Sequence, residues 1–144
     1  LVMFPKVTEH SVLKKPTTIL LKKSLIFIGI ISIAVICFYF LFSSFVINTL
    51  FGEEYLGIKN LLVLFGVAMA LFSLSYNLSF YNLALHKSSF IYALFVINIA
   101  ELFFIWILHD SLFEVLTIVA VLMLILFVFL ISYTIKTIKW SSYQ

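Results

Sequence analysis

Glu101 is the first candidate for chemistry, because it is the only charged residue in the interior of a long apolar run of this sequence, whereas Glu114 lies at the start of one. A charged side chain at the centre of a membrane span costs about 2.5 to 3.5 kcal/mol on insertion scales. Asn98 lies three positions earlier, and therefore on the same face of a helix. The pair predicts a proton, cation or polar-substrate site. The alternative is a structural carboxyl that is protonated, hydrogen-bonded to a neighbouring helix or close enough to the outer end to reach water.

A second set of polar side chains lies in the preceding apolar run, and helical spacing divides it into two stripes. The first stripe combines small and polar residues: Gly66, Ala70, Ser73 and Asn77. The second stripe is polar throughout: Ser75, Ser79 and Asn82. We expect one side of this helix to pack closely against another helix while the other side lines an aqueous cavity. Interhelical hydrogen bonding alone is the alternative explanation for both stripes.

The candidate residues of a substrate or ion pathway are therefore Glu101, Asn98, Ser75, Ser79, Asn82 and Asn77. Catalysis is not predicted, because the three histidines fall in separate polar segments with none of the spacings of a metal site. Cys37 is the only cysteine, so neither a disulfide framework nor a thiolate metal site is expected. The sequence also lacks a glycine-rich phosphate loop. We expect no enzyme activity, no cofactor and no metal.

The composition requires lipid as the solvent for most of this chain. Of 144 residues, 65% are hydrophobic and 10% are charged, and the mean hydropathy is +1.26. A water-soluble domain has too few polar groups in such a composition to cover its surface. The formal charge of +3 comes from lysines close to the apolar runs, and it is too small to favour nucleic-acid binding.

Four uncharged or nearly uncharged runs are long enough to cross a bilayer, which takes about 20 helical residues. They cover residues 24–50, 60–85, 89–108 and 112–135. Polar or turn-forming residues separate them at 51–57, 86–88 and 109–111. The runs lack the alternation of a membrane β-barrel. The sequence therefore predicts an all-α, polytopic membrane protein with four transmembrane helices.

The lysines predict the orientation of these helices. With the N-terminal segment in the cytoplasm, eight lysines lie inside, and only Lys59 lies outside. Residues 6–23 are then a basic cytoplasmic segment along the inner interface, 24–136 form the membrane region, and 137–144 form a cytoplasmic tail. The lysines of the basic segment either bind anionic lipid headgroups or only set the topology.

Several short motifs resemble the C-terminal region of polysaccharide biosynthesis membrane proteins. These are the Val2-Met3-Phe4-Pro5-Lys6-Val7 start, the Leu50-Phe51-Gly52-Glu53-Glu54-Tyr55 outer loop and the Leu83-Ala84-Leu85-His86-Lys87 inner turn. Such proteins are O-antigen-type flippases for lipid-linked oligosaccharides, within the multidrug/oligosaccharidyl-lipid/polysaccharide exporter superfamily. The resemblance covers essentially the whole chain. It departs at His109-Asp110-Ser111-Leu112-Phe113-Glu114, where many members have a turn rich in Gly and Ala. This departure leaves the subfamily and its glycan open.

The resemblance implies that the four spans are the last four of about twelve in a two-lobe exporter, with residues 1–5 ending the preceding span. It also implies alternating access, in which the lobes rock around a central site. The implied partners are the lipid bilayer, a lipid-diphosphate-linked glycan and the N-terminal spans of the same transporter, with no nucleic acid. The implied location is the inner, or cytoplasmic, membrane of the cell. No Lys or Arg lies within a predicted span, so basic contacts to the diphosphate would come from the other lobe.

Two other functions fit the same residues. One is a small four-helix structural or interaction subunit with no translocation pathway of its own. The other is a drug or cation exporter of the same superfamily.

The lysine asymmetry predicts the result of cysteine labelling in intact cells. In a Cys37→Ala background, single cysteines replacing Lys14, Lys87 or Lys139 should resist an impermeant thiol reagent, because they face the cytoplasm. A cysteine replacing Glu54 should react. Labelling at position 87 from outside the cell would overturn the orientation.

Overall fold

Four long α-helices make up most of the computed structural model, which describes residues 18–141. They are α1 (Thr18–Leu50), α2 (Lys59–Ala84), α3 (Phe90–Ile107) and α4 (Leu112–Ser141), and a 3₁₀-helix (Glu53–Ile58) connects α1 to α2. All four α-helices are long and apolar enough to cross a membrane, and residues 18–141 contain no β-strand. The predicted all-α membrane fold with four spans is confirmed. The predicted end of a preceding span at 1–5 lies outside the described residues, as do 6–17 of the basic segment and 142–144 of the tail.

Two helices extend beyond the hydropathic runs. The first helix begins at Thr18, so Lys22 and Lys23 lie in its first turns. The last helix continues to Ser141, past the predicted end at residue 135. Hydropathy marks the part of a helix that fits in hydrocarbon, whereas backbone hydrogen bonding continues into the interface.

Local sequence explains how the helices begin, bend and end. Gly52 has a φ of 95°, which favours glycine, and the chain leaves α1 there. Ser111 caps α4, because its hydroxyl accepts the backbone N–H of Glu114 over 3.2 Å in a Ser-x-x-Glu sequence. Within α1, Phe42 has non-helical dihedral angles (φ −116°, ψ 18°) and precedes two serines, a sequence that is typical of helix kinks.

Helix α2 lies at the centre of the bundle. It contacts α1 on one side and α4 on the other, while α3 packs mainly on α4. The largest buried cluster lies at one end of the bundle, where α2 ends and α3 begins: Leu21, Leu78, Tyr81, Ala84, Phe90, Leu126 and Leu130. Phe90 is the only buried residue of α3. Helix α3 is therefore fully buried only at its first turn, and beyond it Leu94 and Ile97 pack against the cluster as partly buried residues.

Large apolar side chains are exposed along the helices. Leu41 is 71% exposed, Leu102 is 72% exposed and Trp106 is 76% exposed. A bundle in water would turn such residues inward, and an apolar surface of this extent indicates contact with lipid. The chain is a multi-pass membrane protein.

Candidate functional site

The contact between α2 and α4 is built around the side chain of Asn82. Its Nδ2 atom donates to the Thr134 hydroxyl over 2.7 Å and to the Leu78 carbonyl over 2.9 Å. The Thr134 hydroxyl in turn donates to the Leu130 carbonyl of its own helix over 2.7 Å. Asn82 is fully buried and Thr134 is 2% exposed. Because hydrocarbon cannot hydrogen-bond to either group, this chain of bonds ties the two helices together at a fixed register.

The contact between α1 and α2 uses the opposite side of α2. The Ser24 hydroxyl lies 3.1 Å from Asn77 Oδ1 and 2.9 Å from the Leu21 carbonyl, so the proton it donates has two acceptors. Farther along, Gly66 lets α1 approach closely, since a Cβ placed there would lie 3.0 Å from Cδ2 of Tyr39. Gly66 and Asn77 of the first polar stripe therefore face α1. Ser73 of the same stripe is exposed, because α1 does not cover the full width of that side.

A cleft of about 300 Å³ lies between α2 and α3, and Leu126 of α4 also lines it. Ser75 and Ser79 of the second polar stripe line its α2 side, whereas Asn82 is bonded to α4. Aromatic and aliphatic side chains make up the rest of the lining, including Phe72 and Tyr76. The second stripe thus divides between a helix contact and a cleft. The cleft is mainly apolar. An apolar surface of this kind is expected to contact hydrocarbon and not a column of water.

Two buried oxygen atoms within the described residues have no hydrogen-bond partner: Ser75 Oγ and Asn82 Oδ1. Ser75 is 2% exposed, and it lines the cleft. Leaving such a group unsatisfied costs about 1 to 3 kcal/mol. The second stripe therefore has hydrogen-bonding capacity that α1, α3 and α4 do not use.

Glu101 and Asn98 are brought to the same face of α3 but not into contact with the bundle's polar groups. Asn98 is exposed, and its Nδ2 atom donates to the Leu94 carbonyl of its own helix over 2.7 Å. Glu101 is partly exposed and has no hydrogen-bond or ion-pair partner among residues 18–141. With a rise of about 1.5 Å per residue, Glu101 lies roughly 16 Å beyond Phe90, where α3 is anchored. The carboxyl therefore lies within the span, where the bundle covers it only in part.

The structure thus separates the candidate residues into three environments. Asn77 and Asn82 bind neighbouring helices on opposite sides of α2, Ser75 and Ser79 line the cleft, and Glu101 and Asn98 lie apart on α3. Sequence analysis missed Ser24 and Thr134, the partners of the two asparagines. A lone hydroxyl in an apolar helix is a weak signal, because such groups usually bond to the backbone of their own helix, as Thr117 does to Phe113.

Metal and covalent chemistry have little support in this arrangement. Within residues 18–141, no group of three or more His, Cys, Asp or Glu side chains is placed to hold a metal ion. Cys37 is exposed on α1 and forms no disulfide. Away from the helix ends, the polar groups of the spans are hydroxyls, amides and the carboxyl of Glu101, which suit hydrogen bonding to a ligand, to water or to another helix.

Comparisons with protein-family models, with curated proteins and with solved structures find no match to this chain.

The hydrogen bond between Asn82 and Thr134 predicts that two Thr→Val substitutions in α4 differ in their effect on stability. Thr134→Val removes the acceptor of the Asn82 amide and should lower the free energy of unfolding by about 0.6 kcal/mol, and by no more than about 1.7 kcal/mol. Thr117→Val is the matched control, because that hydroxyl bonds only within its own helix. Both changes in the free energy of unfolding can be measured by unfolding each variant in mixed micelles with increasing amounts of a denaturing detergent. Equal effects of the two variants would contradict the interhelical role of Thr134.

Proposed function

We propose that this chain is the C-terminal part of a transporter that flips a lipid-linked oligosaccharide, such as an O-antigen or other polysaccharide repeat unit, across the cell membrane. The proposal includes alternating access, with upstream spans of the same protein as the second lobe and with both ends of this chain in the cytoplasm. The resemblance of the Pro5, Gly52 and Lys87 motifs to polysaccharide flippases supplies the substrate class.

The observation that carries the proposal is the carboxyl of Glu101, which is partly exposed within a span and has no partner among the described residues. Ionisable groups in a span face protein or a water-filled cavity, since contact with lipid is costly. Among the described residues, Glu101 has no partner and α3 packs mainly on α4. The exposed part of the Glu101 side chain therefore needs a polar environment that the described helices do not supply. An aqueous pathway between two lobes would provide water on one side of α3 and protein on the other.

Glu101 then has a specific role in transport. Its carboxyl takes up and releases a proton or a cation as the lobes rock, while Asn98 on the same face offers its free amide oxygen to a glycan hydroxyl. The amide of Asn98 suits a sugar, because the hydroxyls of a sugar form hydrogen bonds.

The decisive experiment is complementation of a strain that lacks the transporter, with surface glycan measured per amount of membrane protein. Glu101→Gln keeps the size and hydrogen bonding of the side chain but cannot titrate, so surface glycan should fall sharply at normal protein abundance. Glu114→Gln is the matched control and should complement fully, because Glu114 is exposed in the first turn of α4. Glu101→Asp should retain partial activity.

Two outcomes would contradict parts of the proposal. Full complementation by Glu101→Gln would exclude the coupling role of the carboxyl. A gene whose reading frame starts close to the codon for Leu1, with no upstream spans, would favour the self-contained four-helix subunit.

A further inference from the structure

The cleft between α2 and α3 is a groove that opens on the side of the bundle. Its deepest residues are buried, since Phe90 and Ser75 are each 2% exposed and Leu126 is 5% exposed. Its rims are open, with Tyr76 56% exposed and Ile91 47% exposed. A groove on the side of membrane-spanning helices faces the hydrocarbon of the bilayer. The acyl chains of the surrounding lipids are therefore in contact with the groove.

A basic turn lies at one end of the groove. Leu83 and Phe90 both line the groove, and the turn that joins α2 to α3 lies between them in sequence. The backbone N–H of Lys87 donates to the Asn82 carbonyl over 3.0 Å, and that of His86 donates to the Leu83 carbonyl over 2.9 Å. His86 has a φ of 56°, as expected for the residue that ends a helix with this pair of bonds. These bonds fix the backbone of the turn, and the exposed Lys87 lies in it, between the groove residues Leu83 and Phe90 in sequence.

We propose that this groove binds one acyl chain of an anionic phospholipid, with the lipid phosphate at Lys87. The apolar lining fits the chain, and the lysine of the turn complements the charge of the headgroup. A transmembrane helix is about 10 Å wide and does not fit a cleft between two helices that a short turn holds together. The small side chains of Ser75 and Ser79 keep the groove open between its aromatic walls. This site is independent of the proposed function, because bilayer lipids surround the protein whatever it transports.

The test uses the chain in phosphatidylcholine vesicles that contain a minor fraction of phosphatidylglycerol with a photoreactive diazirine in its acyl chain. Mass spectrometry then maps the labelled residues. Label should concentrate on Leu83, Ile91 and Leu94 in the groove, and exceed the label on Phe40, which is 71% exposed on α1. The same diazirine on phosphatidylcholine should label the groove more weakly, by roughly fivefold for one lysine at an anionic surface.

Two pairs of variants separate the groove from the general lipid surface. Ser79→Phe fills the groove and should reduce its label to the level at Phe40, whereas Ser73→Phe, an exposed position on the same helix, should not. Lys87→Gln should remove the preference for phosphatidylglycerol, whereas Lys59→Gln at the other end of α2 should preserve it. Lys87 is exposed, so its substitution does not disturb the core even if Ser79→Phe impairs folding.

Three results would overturn the proposal. One is equal labelling of the groove and of Phe40, and another is equal labelling of the groove by the two phospholipids. The third is displacement of phosphatidylglycerol by a small amount of a polyprenyl phosphate, which would assign the groove to an isoprenoid carrier.

Discussion

Hydrocarbon offers no hydrogen bonds, so every polar side chain of a membrane-spanning helix must find a partner in protein or at water. This constraint acts most strongly on α2, where Asn77 and Asn82 point to different neighbours. Asn82 binds Thr134 of α4, and Asn77 accepts from Ser24 of α1. Together these bonds place α2 between α1 and α4. The close approach of Tyr39 to Gly66 extends the first contact along the helix.

The position of α3 depends on the side of α2 that contacts neither α1 nor α4. With Asn77 and Asn82 bonded to α1 and α4, α2 presents Ser75 and Ser79 to the remaining side, where Ser75 Oγ has no hydrogen-bond partner among the described residues. Helix α3 is therefore held by α4 and by the buried ring of Phe90, and a cleft remains between α2 and α3. The same weak attachment leaves Glu101 without a partner among the described residues. Elements that move between two states are drawn from the least stable parts of a structure, and α3 is such an element in the proposed transporter.

Hydropathy was sufficient to predict the four helices, because uncharged runs of this length have no stable alternative in lipid. It could not predict their ends, since α1 starts in the basic segment at Thr18, nor the kink at Phe42. The two stripes of α2 were also readable from helical spacing. Their partners were not, because the choice of neighbour depends on tertiary packing that spacing does not encode. The apolar character of the cleft was not predicted, because residues such as Phe72 and Tyr76 line it and the search for sites considered only polar side chains.

The arrangement of α2 between α1 and α4 is the central claim, and disulfide trapping in native membranes tests it most directly. In a Cys37→Ala background, the cysteine pairs Ser24→Cys with Asn77→Cys, and Asn82→Cys with Thr134→Cys, should each cross-link rapidly with a mild oxidant, because their side chains are in contact. The pair Ser24→Cys with Ser79→Cys should remain reduced, since Ser79 lines the cleft on another side of α2. Rapid cross-linking of Ser24→Cys to Ser79→Cys, with none to Asn77→Cys, would mean that α2 presents a different face to α1 and would contradict the account.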